Sequence, residues 1–257
     1  MKFEHKYLIP ESKFPKIKNA MLPYLTHDEN AVRNGNTGYT VRSIYFDTPQ
    51  LRYYFEKIEG MKIRKKIRIR VYDDYTEEKV AFLEIKRKNE NYVSKNRSCV
   101  LFQNLDKFFS ASKVENLILP AEANVSRIDD AKQFLFYFKH ENLRPILLIT
   151  YEREPFVSRF DGNLRITFDK NLRFLATTNY QRIFEESKLQ SVLKSKIIIE
   201  IKFRRSVPVW LKDLITLHNL QRTSLSKYTI CLEADKEISG SLNKKKINSF
   251  ILKPSRN

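Results

Sequence analysis

Residues 61–73 read MKIRKKIRIRVYD, and this stretch decides the fold. Side chains along a β-strand point alternately to opposite faces. Arg64, Lys66, Arg68 and Arg70 therefore share one face, and Ile63, Ile67, Ile69 and Val71 share the other. The division recurs on both sides of this segment. AFLEIKRK (81–88) sets Phe82, Glu84, Lys86 and Lys88 against Leu83 and Ile85, and KIIIEIKF (196–203) sets Ile198, Glu200 and Lys202 against four apolar side chains. At the N-terminus Lys2, Glu4 and Lys6 oppose Phe3, Tyr7 and Ile9. VSKNRSCV pairs Lys95 with Arg97, LLITYER groups Ile149, Tyr151 and Arg153, and LRITFDK groups Arg165, Thr167 and Asp169.

A half-exposed antiparallel strand with solvated charges shows the same alternation. Here seven strands repeat it with Lys, Arg and single Glu residues, and with few Ser, Thr or Asn. Like charges two residues apart on one face repel unless a counter-ion lies between them. An anionic ligand along a barrel axis would supply that counter-ion. The opposite, apolar faces then require a cover of helices.

Strand patterns fall at 2–9, 38–47, 62–73, 79–89, 92–102, 145–158, 163–170 and 196–204. Helical patterns fall at 11–25, 51–59, 104–113, 126–141, 208–218 and about 225–237, the first started by Pro10 and Ser12. The expected fold is α+β: an eight-stranded antiparallel β-barrel, edges removed by closure, with helices packed on its outside. Residues 1–238 are expected to form one domain, followed by a basic and partly disordered tail at 239–257.

Composition narrows the function. The 257 residues carry 48 Lys and Arg against 30 Asp and Glu, a formal charge of +18, which favours polyanionic partners. An apolar content of 42% marks a folding chain and not a disordered one. Cys99 and Cys231 form no disulfide framework, and the N-terminus has no apolar run suited to a signal peptide, so a reducing, cytoplasmic setting is expected. No run of about 18 apolar residues predicts a membrane span.

Glu4, Glu84 and Glu200 each stand two positions before a lysine, in EHK, EIK and EIK. Such a carboxylate can be an ion-pair partner, or it can hold a hard cation, since Mg²⁺ or Mn²⁺ takes one or two carboxylates with phosphate oxygens and water. There is no Walker loop, no GxGxxG and no Ser–His–Asp spacing. The four histidines are scattered, without HxH or HExxH. Trp210, on an amphipathic stretch, reads as core. No helix-turn-helix or RNP-type motif supports nucleic-acid binding.

Ten segments, in order, carry a resemblance: FEHKYLI, VRSIYFDT, LRYYFEKIEG, KIRIRVYD, FLEIKRK, VSKNR, ITYERE, LRITFDK, IIEIKF and TSLSKY. Across roughly 1–237 the chain resembles the VTC-type polyphosphate polymerase domain, one of the triphosphate tunnel metalloenzymes, alongside the CYTH phosphohydrolases. The resemblance implies a tunnel of eight antiparallel strands in which basic residues grip the triphosphate of ATP. A Mn²⁺ or Mg²⁺ ion bridges phosphate oxygens, and the γ-phosphoryl passes to a growing polyphosphate chain, releasing ADP. It implies phosphate-gripping roles for Lys6, Arg68, Arg70, Lys86, Arg153 and Arg165, with Lys95, Ser226 and Lys227 as further substrate contacts; Arg97 and Lys202 join these contacts on strand parity alone. It implies a metal role for Glu200, while Glu84 and Glu4 are further metal candidates on the glutamate–lysine spacing alone. The implied partners are ATP and inorganic polyphosphate or pyrophosphate.

Three departures qualify the resemblance. Lys2 stands where the CYTH ExExK signature needs a glutamate, which disfavours hydrolysis. Ser224 replaces a lysine of the eukaryotic polymerases at the acceptor end. Sensor and membrane segments of those complexes are missing from the sequence, so a stand-alone catalytic domain is expected. Two other functions stay open: a tunnel-type triphosphatase acting on tripolyphosphate or nucleoside triphosphates, and a non-catalytic polyanion-binding module.

Overall fold

The computed structural model describes residues 3–32, 37–90, 92–119, 125–238 and 240. The expected basic tail at 239–257 lies outside them apart from Gly240. All eight expected strands form, as β1 (Phe3–Pro10), β3 (Tyr39–Asp47), β4 (Ile63–Tyr72), β5 (Val80–Asn89), β6 (Tyr92–Leu101), β7 (Arg144–Ser158), β8 (Arg165–Ala176) and β10 (Lys196–Phe203). Two short strands join them, β2 (Leu25–His27) on β7 and β9 (Gln190–Ser191) on β8. Every pairing is antiparallel, and the long strands run in the order β1-β10-β8-β7-β3-β4-β5-β6.

The helices are α1 (Phe14–Met21), α2 (Glu29–Val32), α3 (Arg52–Ile58), α4 (Leu105–Ser110), α5 (Val125–His140), α6 (Val209–Leu217) and α7 (Lys227–Ala234). On the outer sheet face Ile67, Ile69, Leu83 and Ile85 pack with Leu105 and Phe108 of α4 and Phe134 of α5. Around the curve, Ile197, Ile199 and Ile201 pack with Ile17 and Met21 of α1 and Leu211 of α6. Each such aliphatic side chain contributes about 1.5–3 kcal/mol on burial. That energy turns the apolar parity of the strands outward, under helices, and leaves the charged parity facing in. Trp210 is half-buried and stacks on Tyr24 at 4.2 Å, at the margin of this second core and not in a ligand site.

Two features depart from the expected barrel. β6 and β1 do not pair among the described residues, so backbone hydrogen bonds leave the cylinder open along one seam. Instead the segment 222–226 lies on the free edge of β1, where Thr223 N donates to Lys6 O at 2.8 Å and Tyr7 bridges Arg222. Across the seam Lys86 Nζ donates to Glu4 Oε2 at 3.1 Å. Secondly, α7 packs on the inner face, where Tyr228, Cys231 and Leu232 meet Tyr45, Ile149, Tyr151 and Ile198. The strand ends on that side offer apolar inward residues, so an apolar helix can fill that part of the lumen.

Candidate polyanion-binding tunnel

Strand register assembles the inner wall. β4 faces β5 with Lys66↔Lys86 and Arg68↔Glu84, and β5 faces β6 with Lys86↔Lys95 and Glu84↔Arg97. On the other side β1 faces β10 with Lys6↔Glu200 and Glu4↔Lys202, and β10 faces β8 with Lys202↔Arg165 and Glu200↔Thr167. Arg153 of β7 lies opposite Asp169 of β8.

These side chains divide into two clusters. In the first, Arg153 forms a two-pronged pair with Asp169, Nε–Oδ1 at 2.6 Å and Nη2–Oδ2 at 2.7 Å, and also reaches Glu200 Oε2 at 3.3 Å. Lys227, the first residue of α7, places Nζ 2.5 Å from Asp169 Oδ2 and 2.9 Å from Glu200 Oε1. Lys6 Nζ lies 3.2 Å from both Glu200 Oε1 and Glu4 Oε1, and Lys202 approaches Glu200 at 3.9 Å. In the second cluster Glu84, 1% exposed, is held by Arg68 at 2.7 Å, Lys95 at 2.6 Å and Arg97 at 3.5 Å.

Burial alone would raise the carboxyl pKa of Glu200, but Lys227, Lys6 and Arg153 outweigh it and hold it well below the usual range. Glu84 is lowered in the same way, burial being overcome by Arg68, Arg70 and Lys95. Glu4 falls to about 2, because Lys6 and Lys86 outweigh its burial. All three are therefore ionised at neutral pH. The cations are less evenly served. Arg70, 6% exposed, donates to Ser43 Oγ at 3.1 Å and Tyr151 Oη at 3.2 Å, and it also interacts with the Tyr72 hydroxyl. Lys66 donates to Ser226 Oγ at 2.7 Å. Neither lies within ion-pair distance of a carboxylate among the described residues, although the charge of Arg70 helps to lower Glu84. Burial, followed by Lys6, Lys86 and Arg68, pushes Lys66 well below a normal lysine pKa. Burial lowers Lys202 to about 8, with Glu200 only partly offsetting it, and burial lowers Lys95 to about 8 as well, against the opposing pull of Glu84.

The sequence-predicted residues thus largely converge. Lys6, Glu4, Glu200, Lys202, Arg153 and Lys227 form one cluster, and Arg68, Glu84, Lys95 and Arg97 form the other. Lys86 bridges them across the seam, and Arg70 and Ser226 line the lumen between. Arg165 stands apart, 3.2 Å from Asp28 and 3.5 Å from Tyr39 Oη. Two residues were not singled out as site residues, Asp169 and Lys66. Both lie on the charged parity of their strands, so parity was the available signal. Their importance depends on cross-strand register, which single-strand reading does not supply.

A match to the VTC domain model runs over residues 1–234. The chain belongs to the VTC domain family. Among solved structures, this VTC domain resembles a candidate adenylyl cyclase from Hippeastrum described as having a dominant triphosphatase activity. The two share 15% identity over 91% of this chain and 97% of that one, with a TM-score of 0.51, a likeness of fold. A candidate adenylate cyclase from Bacillus halodurans aligns at 12% identity over 88% and 94% of the two chains, with a TM-score of 0.48. Comparison with curated protein sequences finds no match.

Proposed function

We propose that this VTC domain is a polyphosphate polymerase that transfers the γ-phosphoryl group of ATP to a growing polyphosphate chain and releases ADP. The observation that carries the reading is the lumen itself, lined by more cations than carboxylates, with Lys66 and Arg70 in no close ion pair among the described residues. A chain of phosphates supplies the missing charge. Phosphoryl transfer asks mainly for positioning and neutralisation of charge on the phosphoryl oxygens. Arg68, Arg70 and Arg153 present planar guanidinium groups that suit phosphate oxygens, and Lys6, Lys86 and Lys227 add point charges around them. Arg165, at one mouth beside Asp28, is assigned to the entering or leaving end of the substrate. Lys95, Arg97 and Lys202 extend the grip along the inner wall.

The donor set around Glu200 suits a hard divalent ion, Mn²⁺ or Mg²⁺. Its neighbours Asp169 and Glu4 are carboxylates, and Thr167 Oγ1, opposite it on β8, is buried with no hydrogen-bond partner among the described residues. No group of three acidic, His or Cys side chains able to hold a metal ion occurs among the described residues, so phosphate oxygens would have to complete the shell. Glu200, with Glu4 beside it, is assigned this role. Glu84, enclosed by three cations and no second acid, is assigned to positioning Arg68 and Lys95. When bound, such an ion would neutralise phosphate charge as a Lewis acid.

The test is purified protein with ATP and Mn²⁺, with and without a pyrophosphate or short polyphosphate primer. The readouts are a polyphosphate-staining gel and free phosphate. A ladder that disappears in Glu200→Gln and Arg68→Ala supports polymerisation. Free phosphate without a ladder would assign the tunnel to triphosphate hydrolysis, and neither product would leave a polyanion-binding module.

A further inference from the structure

We propose that the Tyr45 hydroxyl is a positioning group for Arg68, closing with Glu84 a clamp that leaves one end of the guanidinium free for a phosphate. The inference rests on the phosphate-handling tunnel proposed above. It adds a residue that acts through Arg68 and not on the substrate itself.

Cross-strand register builds the clamp. Tyr45 of β3 and Glu84 of β5 stand directly opposite Arg68 of β4, one on each side. Residues directly opposite share a sheet face, so all three side chains point into the lumen. Arg68 Nε and Nη2 each lie 2.7 Å from Glu84 Oε2, and Nη1 donates to Tyr45 Oη at 2.8 Å. A guanidinium carries five N–H groups in one rigid plane. Glu84 and Tyr45 engage three of them, so one N–H on each terminal nitrogen is left. That is the pair a phosphate accepts in two-pronged fashion.

Held along one edge, a guanidinium can still swing on the flexible stem behind it. The second contact removes that freedom, because Tyr45 is itself fixed. Its ring stacks on Tyr228 of α7 at 5.2 Å, with 13° between the planes, and the Tyr228 hydroxyl donates to Asp47 Oδ2 at 2.7 Å. Tyr45 and Glu84 are buried, whereas the Arg68 side chain keeps 20% of its surface open. The holders are enclosed and the held group is presented. Burial alone would raise the Tyr45 phenol, but Arg68 and then Arg70 outweigh it and lower it, so the hydroxyl and the Arg68 charge are coupled. A tyrosine that only secures the fold donates to a neighbouring acceptor, as Tyr53 does to Glu141 and Tyr54 to Glu233. Tyr45 instead accepts from a cation of the inner wall.

The test is a double-mutant cycle in the full chain with ATP and Mn²⁺, read by steady-state kinetics beside a thermal melt. Tyr45→Phe keeps the ring and its stack on Tyr228 and removes only the hydroxyl. It should lower kcat by about ten-fold, part of what one preorganised donor supplies, while KM for ATP moves by less than about three-fold. The melting temperature should stay within about 4 °C of the wild type. In an Arg68→Lys background the same substitution should cost less than about two-fold, because an ammonium has no fork to orient. Equal losses in both backgrounds, or no loss in either, would overturn the clamp. So would a Tyr45→Phe chain that fails to fold, or melts far lower with kcat unchanged, since the hydroxyl would then be structural. The functional reading is judged separately, on the wild type. Free phosphate in place of a ladder moves the reaction to hydrolysis, and the cycle then applies to that turnover with the same expectations. Tripolyphosphate binding without turnover shifts the cycle to affinity, where Tyr45→Phe should weaken binding roughly three- to ten-fold only when Arg68 is present. A wild-type protein that shows neither turnover nor tripolyphosphate binding would overturn the functional reading, and the clamp with it.

Discussion

Arg70 is buried with no close ion-pair partner among the described residues, which helps to separate its functional from its structural contribution. Arg70→Ala breaks no close ion pair among the described residues but removes its hydrogen bonds and a cation that helps keep Glu84 ionised, so its cost in stability should be about 1–3 kcal/mol. Turnover should fall by about 10²-fold or more, as when one preorganised donor to a transition state is removed. Steady-state kinetics beside a thermal melt decide the matter, and a large stability loss with normal kinetics would make the residue structural. Lys202 and Lys95 carry a pH prediction. Their pKa values lie near 8 in the free tunnel, and a bound polyanion raises them. Below pH 8 both groups are already protonated and affinity is flat. Above it, binding must take up protons, so affinity falls as pH rises. Titrations from pH 6.5 to 9.5 should show this fall with net proton uptake, and a flat profile would refute it.

At the scale of elements, Asp47 at the end of β3 ties three segments together. Its Oδ1 accepts from Thr48 N at 2.7 Å and Tyr53 N at 2.9 Å, and its Oδ2 accepts from Tyr54 N at 3.0 Å and Tyr228 Oη at 2.7 Å. It thereby caps α3, whose preceding residue Leu51 has a left-handed backbone and no capping side chain, and it anchors α7 inside the lumen. Asp47→Ala orphans buried donors and should cost about 2–4 kcal/mol, read as a drop in melting temperature of roughly 4–16 °C. Gly38 acts by absence. A Cβ there would lie 2.7 Å from Arg153 O, so Gly38→Ala must shift β3 from β7 and disturb the strand carrying Arg153. It should lower both stability and turnover, whereas loss of neither would show that the strand yields freely. Ser226 caps α7 and also meets Lys66, so Ser226→Ala should cost about 1 kcal/mol in stability.

Across the whole molecule, the charge of +18 and the cation-rich lumen predict polyphosphate affinity that falls steeply with salt. Chelation of divalent metal should abolish turnover and leave polyphosphate binding largely intact, since lysines and arginines supply the grip. Loss of both on chelation would instead make the metal the main binding element.

Strand periodicity is local and the apolar parity has one stable destination, under helices, so the sheet, its charged face and most of the inward cations were legible from residue order. The expected strand at 163–170 stopped at Lys170, but β8 runs on to Ala176. Asn171, with φ 49°, forms a bulge that reverses parity, so Asp169 and Leu172 both serve the inner side and the alternation breaks. The seam, the inward place of α7, and the partners of Asp169 and Lys66 emerge only once the chain is folded. Each depends on register between segments far apart in the chain. Residues 222–226 and 66, for example, meet through a lysine and a serine hydroxyl 160 positions apart. Periodicity says which way a side chain points; it does not say what stands opposite.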